Sequence, residues 1–173
     1  MHSFLFTEFV GHARCMAEVG CVEREASTEE REALVDFYTS FNGDEWRFHD
    51  NWNEGDPCTN QWFGIGCNTE GNVISIHFFE NHLNGTFPNN FHNLVHLKHL
   101  SIFNGDTGYE GEENLNANCV KFMLDELGAH TELEELNLAW LTMQGSIPVD
   151  ITSLTKIKFI NLSNNELGGQ FPL

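Results

Sequence analysis

Two cysteines, Cys58 and Cys67, bracket the segment TNQWFGIG. The C-x8-C spacing is too long for the C-x-x-C of thiol–disulfide exchange, and no second C-x-x-C completes a zinc ribbon. Nine histidines invite a metal reading. His92, His96 and His99 are spaced H-x3-H-x2-H, and His92 and His96 would share one face of a helix, as zinc ligands do. The apolar phase argues otherwise: Leu94, Leu97 and Leu100 are the inward positions, so His96 and His99 lie on different surfaces and read as solvated. The acidic run DTGYEGEE, Asp106 to Glu113, has calcium-loop composition. It places Gly108 where a ligand belongs and lacks the acidic twelfth position, so it reads as a solvated loop. No G-x-S-x-G, P-loop or dinucleotide fingerprint is present, and no pair of carboxylates is set up for acid–base work. The expectation is a protein without catalytic residues, metal or cofactor. Two N-x-[ST] triplets, at Asn84 (NGT) and Asn161 (NLS), are glycosylation acceptors if the chain is secreted.

The bulk composition narrows the partners. Among 173 residues, 26 Asp and Glu stand against 8 Lys and Arg, a net charge of −18. Such a surface repels phosphate backbones and anionic membranes. Basic proteins, peptides, cations and neutral carbohydrates remain, and the acidity also serves solubility. With 40% hydrophobic residues the chain can bury one core, yet no apolar run approaches the ~18 residues that span a bilayer. The N-terminus, MHSFLFTEFVGHA, is signal-like in its apolar content but lacks a basic start and carries Glu8. Residues 1–28 therefore read as a leader or a flexible arm.

What positions these residues is a repeat. VISIHFFENHLNGTFPNNF begins at Val73 and LKHLSIF at Leu97, 24 residues later. LEELNLAWLTMQGSIPVDI begins at Leu133 and IKFINLSNNELGGQFPL at Ile157, again 24 apart. The gap from Leu97 to Leu133 is longer by 12. The copies share L-x-x-L-x-L, followed by N-x-L-x-G-x-[IF]-P except in the second, which loses the pattern after Phe103; Asn81 and Asn165 hold the Asn position, Gly85, Gly145 and Gly169 the Gly position, and Pro88, Pro148 and Pro172 close it. The L-x-L alternation marks a short strand with its leucines inward. The Asn turns inward to hydrogen-bond backbone groups of adjacent turns, and Gly and Pro shape the return path. One such turn cannot bury its own faces, so copies must stack. Leu141 replaces the Asn of the third copy, so the amide ladder should break there.

This pattern resembles the plant-type leucine-rich-repeat family, over roughly Glu29 to Leu173. The upstream EREALVDFYTSF, NGDEW, NW, DPC and WFGIGC resemble that family's N-terminal cap. The resemblance implies an α/β fold: a right-handed leucine-rich-repeat solenoid, a short horseshoe of about four coils, with a helical, disulfide-closed cap. It implies a Cys58–Cys67 bridge, with Trp52, Trp62 and Phe63 covering the first coil; two reduced core thiols are the alternative. Cys15 and Cys21 are a further candidate pair, and Cys119 reads as a core thiol. A bridge would place the chain in an oxidising compartment, extracellular or at the cell surface, and reduced thiols would place it in the cytoplasm. Ala33, Leu34, Phe37 and Phe41 have helical spacing, with Ser27 or Thr28 as N-cap. The domains are then 1–28 as leader or arm, 29–72 as cap and 73–173 as repeats. An acidic and helical insertion falls at about 105–130, where Leu115, Cys119, Phe122, Met123 and Leu127 have helical spacing and Gly128 suits the position after a helix. The end of the chain at Leu173, inside a repeat, suggests part of a longer protein.

The strand positions between the leucines form three outward columns. The first is Ser75, His99, Glu135 and Phe159; the second His77, Ser101, Asn137 and Asn161; the third Phe79, Phe103, Ala139 and Ser163, with Trp140 just beyond. Phe79 and Phe103 should be neighbours about 5 Å apart, and aromatics beside polar groups have the composition of a binding patch. The resemblance implies a protein- or peptide-binding module using this concave face. Alternatives are the extracellular part of a receptor-like kinase, or a structural protein whose regular faces bind polysaccharide or ice, which the irregular convex positions disfavour. Nucleic acid and membrane insertion are not expected, and self-association through the uncapped C-terminal end is.

Overall fold

A computed structural model describes residues 24–103, 120–121 and 124–172. The readings of the N-terminal leader as far as residue 23, of Cys15, Cys21 and Cys119, of the acidic run 106–113 and of Leu173 lie outside the described residues.

The first element is helix α1, Thr28–Ser40. Ser27 is its N-cap: the hydroxyl accepts from Glu30 N at 3.2 Å while the Glu30 carboxylate takes Ser27 N at 3.3 Å, a reciprocal capping box. The helix buries Ala33, Leu34, Phe37 and Tyr38. It ends where Asn42 enters the left-handed region at φ 54°, a conformation Asn tolerates. Phe37 sits at the hub of an aromatic cluster, with ring centroids 4.6 Å from Phe41, 5.9 Å from Trp46 and 6.0 Å from Phe78. Three cap indoles are buried yet satisfied: Trp46, Trp52 and Trp62 donate to the carbonyls of Phe41, Phe63 and Glu54 at 2.8–2.9 Å. Cys58 and Cys67 form a disulfide with Cα atoms 5.6 Å apart. Trp62 packs on Trp52, and Trp52 and Phe63 each pack at a tilt against Phe78, covering the first repeat.

The cap hands over to a five-stranded sheet of β1 (Ile65–Cys67), β2 (Val73–Phe79), β4 (His99–Phe103), β6 (Glu135–Asn137) and β8 (Phe159–Asn161), in that order. β1 runs antiparallel to β2, and the rest are parallel. On the return path, β3 (Gly85–Thr86) pairs with β5 (Val120–Lys121), and β7 (Gln144–Ser146) with β9 (Glu166–Gly168). Short 3₁₀ turns at Phe91–Asn93, Leu124–Ala129 and Val149–Ser153 complete each passage. The core lies between sheet and return path, and Leu94, Leu97, Leu100, Leu133, Leu136 and Leu138 are all inaccessible to solvent.

One expectation is corrected. The single helix read across 115–127 is absent from the described part of that stretch. Val120–Lys121 extends to pair with β3, and Leu124–Ala129 forms a 3₁₀ turn that contains Gly128 rather than ending before it. The physical reason is stacking. A return strand already present on the first repeat offers backbone partners to the segment above it, which outweighs a weak local helical preference.

The Asn ladder follows the repeat. Asn81 exchanges two hydrogen bonds with the backbone of Phe48 in the cap, at 2.7 and 2.8 Å. Asn165 accepts from Leu141 N and Met143 N and donates to Leu138 O and Leu162 O. Leu141 is fully buried and supplies no amide of its own.

Candidate functional site

The parallel register sets the outward columns. Ser75 pairs with His99, His99 with Glu135 and Glu135 with Phe159, while His77, Ser101, Asn137 and Asn161 line up one pair of residues further along. A common period keeps equivalent side chains about 4.8 Å apart across the sheet. In the third column Phe79 and Phe103 meet with centroids 4.8 Å apart at 45°. Phe79 is 44% exposed and Phe103 half-buried, so the pair reaches solvent mainly through Phe79. Trp140 is also exposed and adopts φ +61°; its N–H donates to Ser163 O at 3.0 Å. Phe159 is half exposed on the last strand, whereas Ala139 is buried.

Two further members of the columns contribute little surface. Ser75 and Ser101 are buried. β1 covers Ser75, and it can do so because Gly66 lies opposite: a Cβ on Gly66 would meet Ser75 Oγ at 2.2 Å. Nor is His99 fully solvated. It is half-buried, with Nδ1 3.4 Å from Glu135 Oε2, and its ring lies 6.4 Å from that of His77. Burial lowers the pKa of His77 first and the neighbouring His99 second, with Glu135 opposing. The sheet face thus joins an aromatic pair to an imidazole–imidazole–carboxylate row. His92 sits on a 3₁₀ turn with Nδ1 2.8 Å from Asn89 O, and His96 is exposed. The three histidines do not converge, and no group of three metal-binding side chains forms among the described residues.

Other residues escaped the sequence reading. Glu30 is buried, and its second carboxylate oxygen accepts from Val73 N at 3.1 Å, tying the helix cap to the start of β2. His130 is wholly buried, with Nδ1 3.1 Å from Leu94 O and its ring 5.1 Å from Phe91; burial depresses its pKa. Lys156 pairs with Glu132 and Lys158 with Glu134, each across one repeat, and these bonds hold both carboxyls below their ordinary pKa. The 24-residue offset of each pair was a readable signal; the S-x-x-E spacing of Ser27 and Glu30 signals the capping box but not the bond to Val73, and for His130 there was no signal.

Residues 27–68 match the family described as leucine rich repeat N-terminal domain. Over 149 residues, 84% of this chain, the sequence is 26% identical to Receptor-like protein kinase 7 of Arabidopsis thaliana. Over 139 residues, 76% of this chain, it is 30% identical to Receptor-like protein kinase BRI1-like 3 of the same plant. The matched segments span 12% and 11% of those relatives. The leucine-rich-repeat ectodomain of the Arabidopsis receptor kinase SOBIR1 superposes with a TM-score of 0.60 at 21% identity, over 83% of this chain and 70% of that one. The chain is a plant-type leucine-rich-repeat protein with an N-terminal cap. Its fold is shared more widely. A plant ice-binding protein matches this leucine-rich-repeat chain with a TM-score of 0.68 at 22% identity, over 86% of it and 44% of the other. The ectodomain of the Arabidopsis receptor kinase HAESA, solved with an extended IDA peptide hormone, gives 0.63 at 22% identity, over 83% and 22%.

Proposed function

We propose that the chain is a ligand-recognition module of the receptor-ectodomain kind, binding a protein or peptide across the outward columns. We read the stacked repeats as a right-handed solenoid of about four coils and this sheet face as its concave side. The observation that carries the proposal is the Phe79–Phe103 pair, open to solvent mainly through Phe79, beside His77, His99 and Glu135. Exposed aromatics flanked by hydrogen-bonding groups are the usual anchors of protein recognition. The curated relatives are receptor kinases, and the structure with HAESA contains a peptide hormone. The disulfide supports an extracellular or cell-surface setting.

The fold likeness to an ice-binding protein makes a surface-binding role the second reading. The exposed return strands disfavour it. β7 and β9 place Gln144 against Glu166 and Ser146 against Gly168, without a repeated hydroxyl column.

The test uses peptides selected on the full chain from a random display library, with affinities then measured by calorimetry. Phe79→Ser with Phe103→Ser should weaken the selected peptides on the order of 100-fold, as two aromatic anchors do. Lys156→Ala, on a different surface, should leave them unchanged. Equal affinity for the double variant and the parent would move the site off these columns.

A further inference from the structure

The two N-x-[ST] triplets have different surroundings. Asn84 is exposed. Its carbonyl takes a hydrogen bond from Asn42 Nδ2 at 2.9 Å, which anchors the backbone and leaves the side chain outside that contact. Gly85 then lies hard against the end of α1: a Cβ there would fall 1.8 Å from Ser40 O and 2.9 Å from Phe41 Cα. The chain can pass this point only as glycine, so the triplet is held in one path. Thr86, in β3, follows Asn84 by two residues, so a sugar on Asn84 starts within reach of the surface that Thr86 lines. Thr86 lines a groove of about 430 Å³ between the helix and the first repeat. Asp36, Thr39 and Ser40 form one wall, and Thr86 and Asn89 belong to the other. Asp36 already accepts from Asn90 Nδ2 and the Thr39 hydroxyl donates to Val35 O, and the remaining acceptor capacity of these groups, with the Ser40 and Thr86 hydroxyls and the Asn89 amide, matches the hydroxyls and acetamide of a sugar.

Asn161 differs on each point. It is half-buried within β8, and its Oδ1 accepts from Ser163 N at 3.1 Å and Ser163 Oγ at 2.7 Å. It also stands in the second outward column beside Asn137.

We infer that Asn84 is an N-glycosylation site whose first sugar lies in the groove between α1 and the first repeat, and that Asn161 is left unmodified. In the transfer, Asn84 Nδ2 bonds to the anomeric carbon of a lipid-pyrophosphate-linked oligosaccharide. The bond from that carbon to the pyrophosphate oxygen breaks, the electron pair leaves with the lipid pyrophosphate, and the amide proton passes to a base of the transferase. The Cys58–Cys67 disulfide supplies the independent requirement, since it needs the oxidising secretory compartment in which such transfer occurs.

The experiment secretes the full chain from insect cells behind a heterologous leader and maps glycopeptides by mass spectrometry. Amidase release in heavy-oxygen water marks each occupied Asn as labelled Asp. Expected are occupancy at Asn84, none at Asn161, and loss of the glycan in both Asn84→Gln and Thr86→Ala. A chain trimmed to the single innermost sugar should melt about 2–4 °C above the fully deglycosylated one, the effect of about one net hydrogen bond in a chain of this size. Secreted protein bare at Asn84, or equally occupied at Asn161, would overturn the assignment. Identical melting of the two trimmed forms would overturn the seating of the sugar in the groove.

Discussion

Removing the Glu30 carboxylate should loosen the junction between cap and repeats more than any surface change in the cap. One oxygen completes the capping box with Ser27, and the other receives Val73 N, 43 residues away, in a buried setting. Glu30→Ala gives up one arm of the box, about 0.5–1 kcal/mol. It also strands a buried N–H, which costs about 1–3 kcal/mol. The total is about 1.5–4 kcal/mol, or a drop in Tm of about 3–16 °C for a chain of this length. Glu30→Gln keeps an acceptor for Val73 N and should lose about half as much. Urea unfolding followed by tryptophan fluorescence suits the question, because Trp46, Trp52 and Trp62 are all buried in the cap. A double-mutant cycle with Ser27→Ala should show coupling, since both residues serve the same cap. If Glu30→Ala unfolds within about 1 kcal/mol of the parent, no more than the capping arm alone accounts for, the tie to β2 contributes nothing and the reasoning fails.

Acid should destabilise the protein through its buried imidazoles. His130 and His77 have folded pKa values below the ordinary 6.5. Above that value both states are neutral and nothing is lost. As the pH falls from about 6.5 towards the folded values, the unfolded chain binds protons that the folded chain does not, and stability declines by up to about 1.4 kcal/mol per pH unit for each group. Denaturant titrations at pH 7.5 and 5.5 should show a smaller loss in His130→Gln than in the parent, and equal losses would show that His130 is not the group responsible. Cys58→Ser with Cys67→Ser should cost about 2.7 kcal/mol by loop entropy, and reduction should lower the parent's Tm while leaving that of the variant unmoved. A reductant-sensitive variant would mean that another bridge holds the cap.

The columns were legible because the strand residues recur at one period, and a parallel register carries that period directly into space. Phe79 beside Phe103, and His99 beside Glu135, follow from counting. The capping box was half legible, since Ser27 could be named as a cap while its partner's second bond to Val73 could not. Leu115 to Leu127 misled because apolar spacing states a local preference only. Val120 and Lys121 instead answer the open edge of Gly85 and Thr86, which are far away in sequence.

The sequence by itself therefore determined the stacked repeat, the inward leucines, the Asn ladder with its gap at Leu141, and the membership of each outward column. Periodicity is a property of the chain and needs no knowledge of neighbours. Only the tertiary structure decided which column members reach solvent. Ser75 is lost beneath β1, whose Gly66 leaves room for it, while Phe79 stays open. It likewise decided that His130 is buried in the core, which lowers its pKa, and that Glu30 joins helix to sheet. Burial and long-range hydrogen bonding depend on what the rest of the chain places opposite a residue, and no local pattern records that.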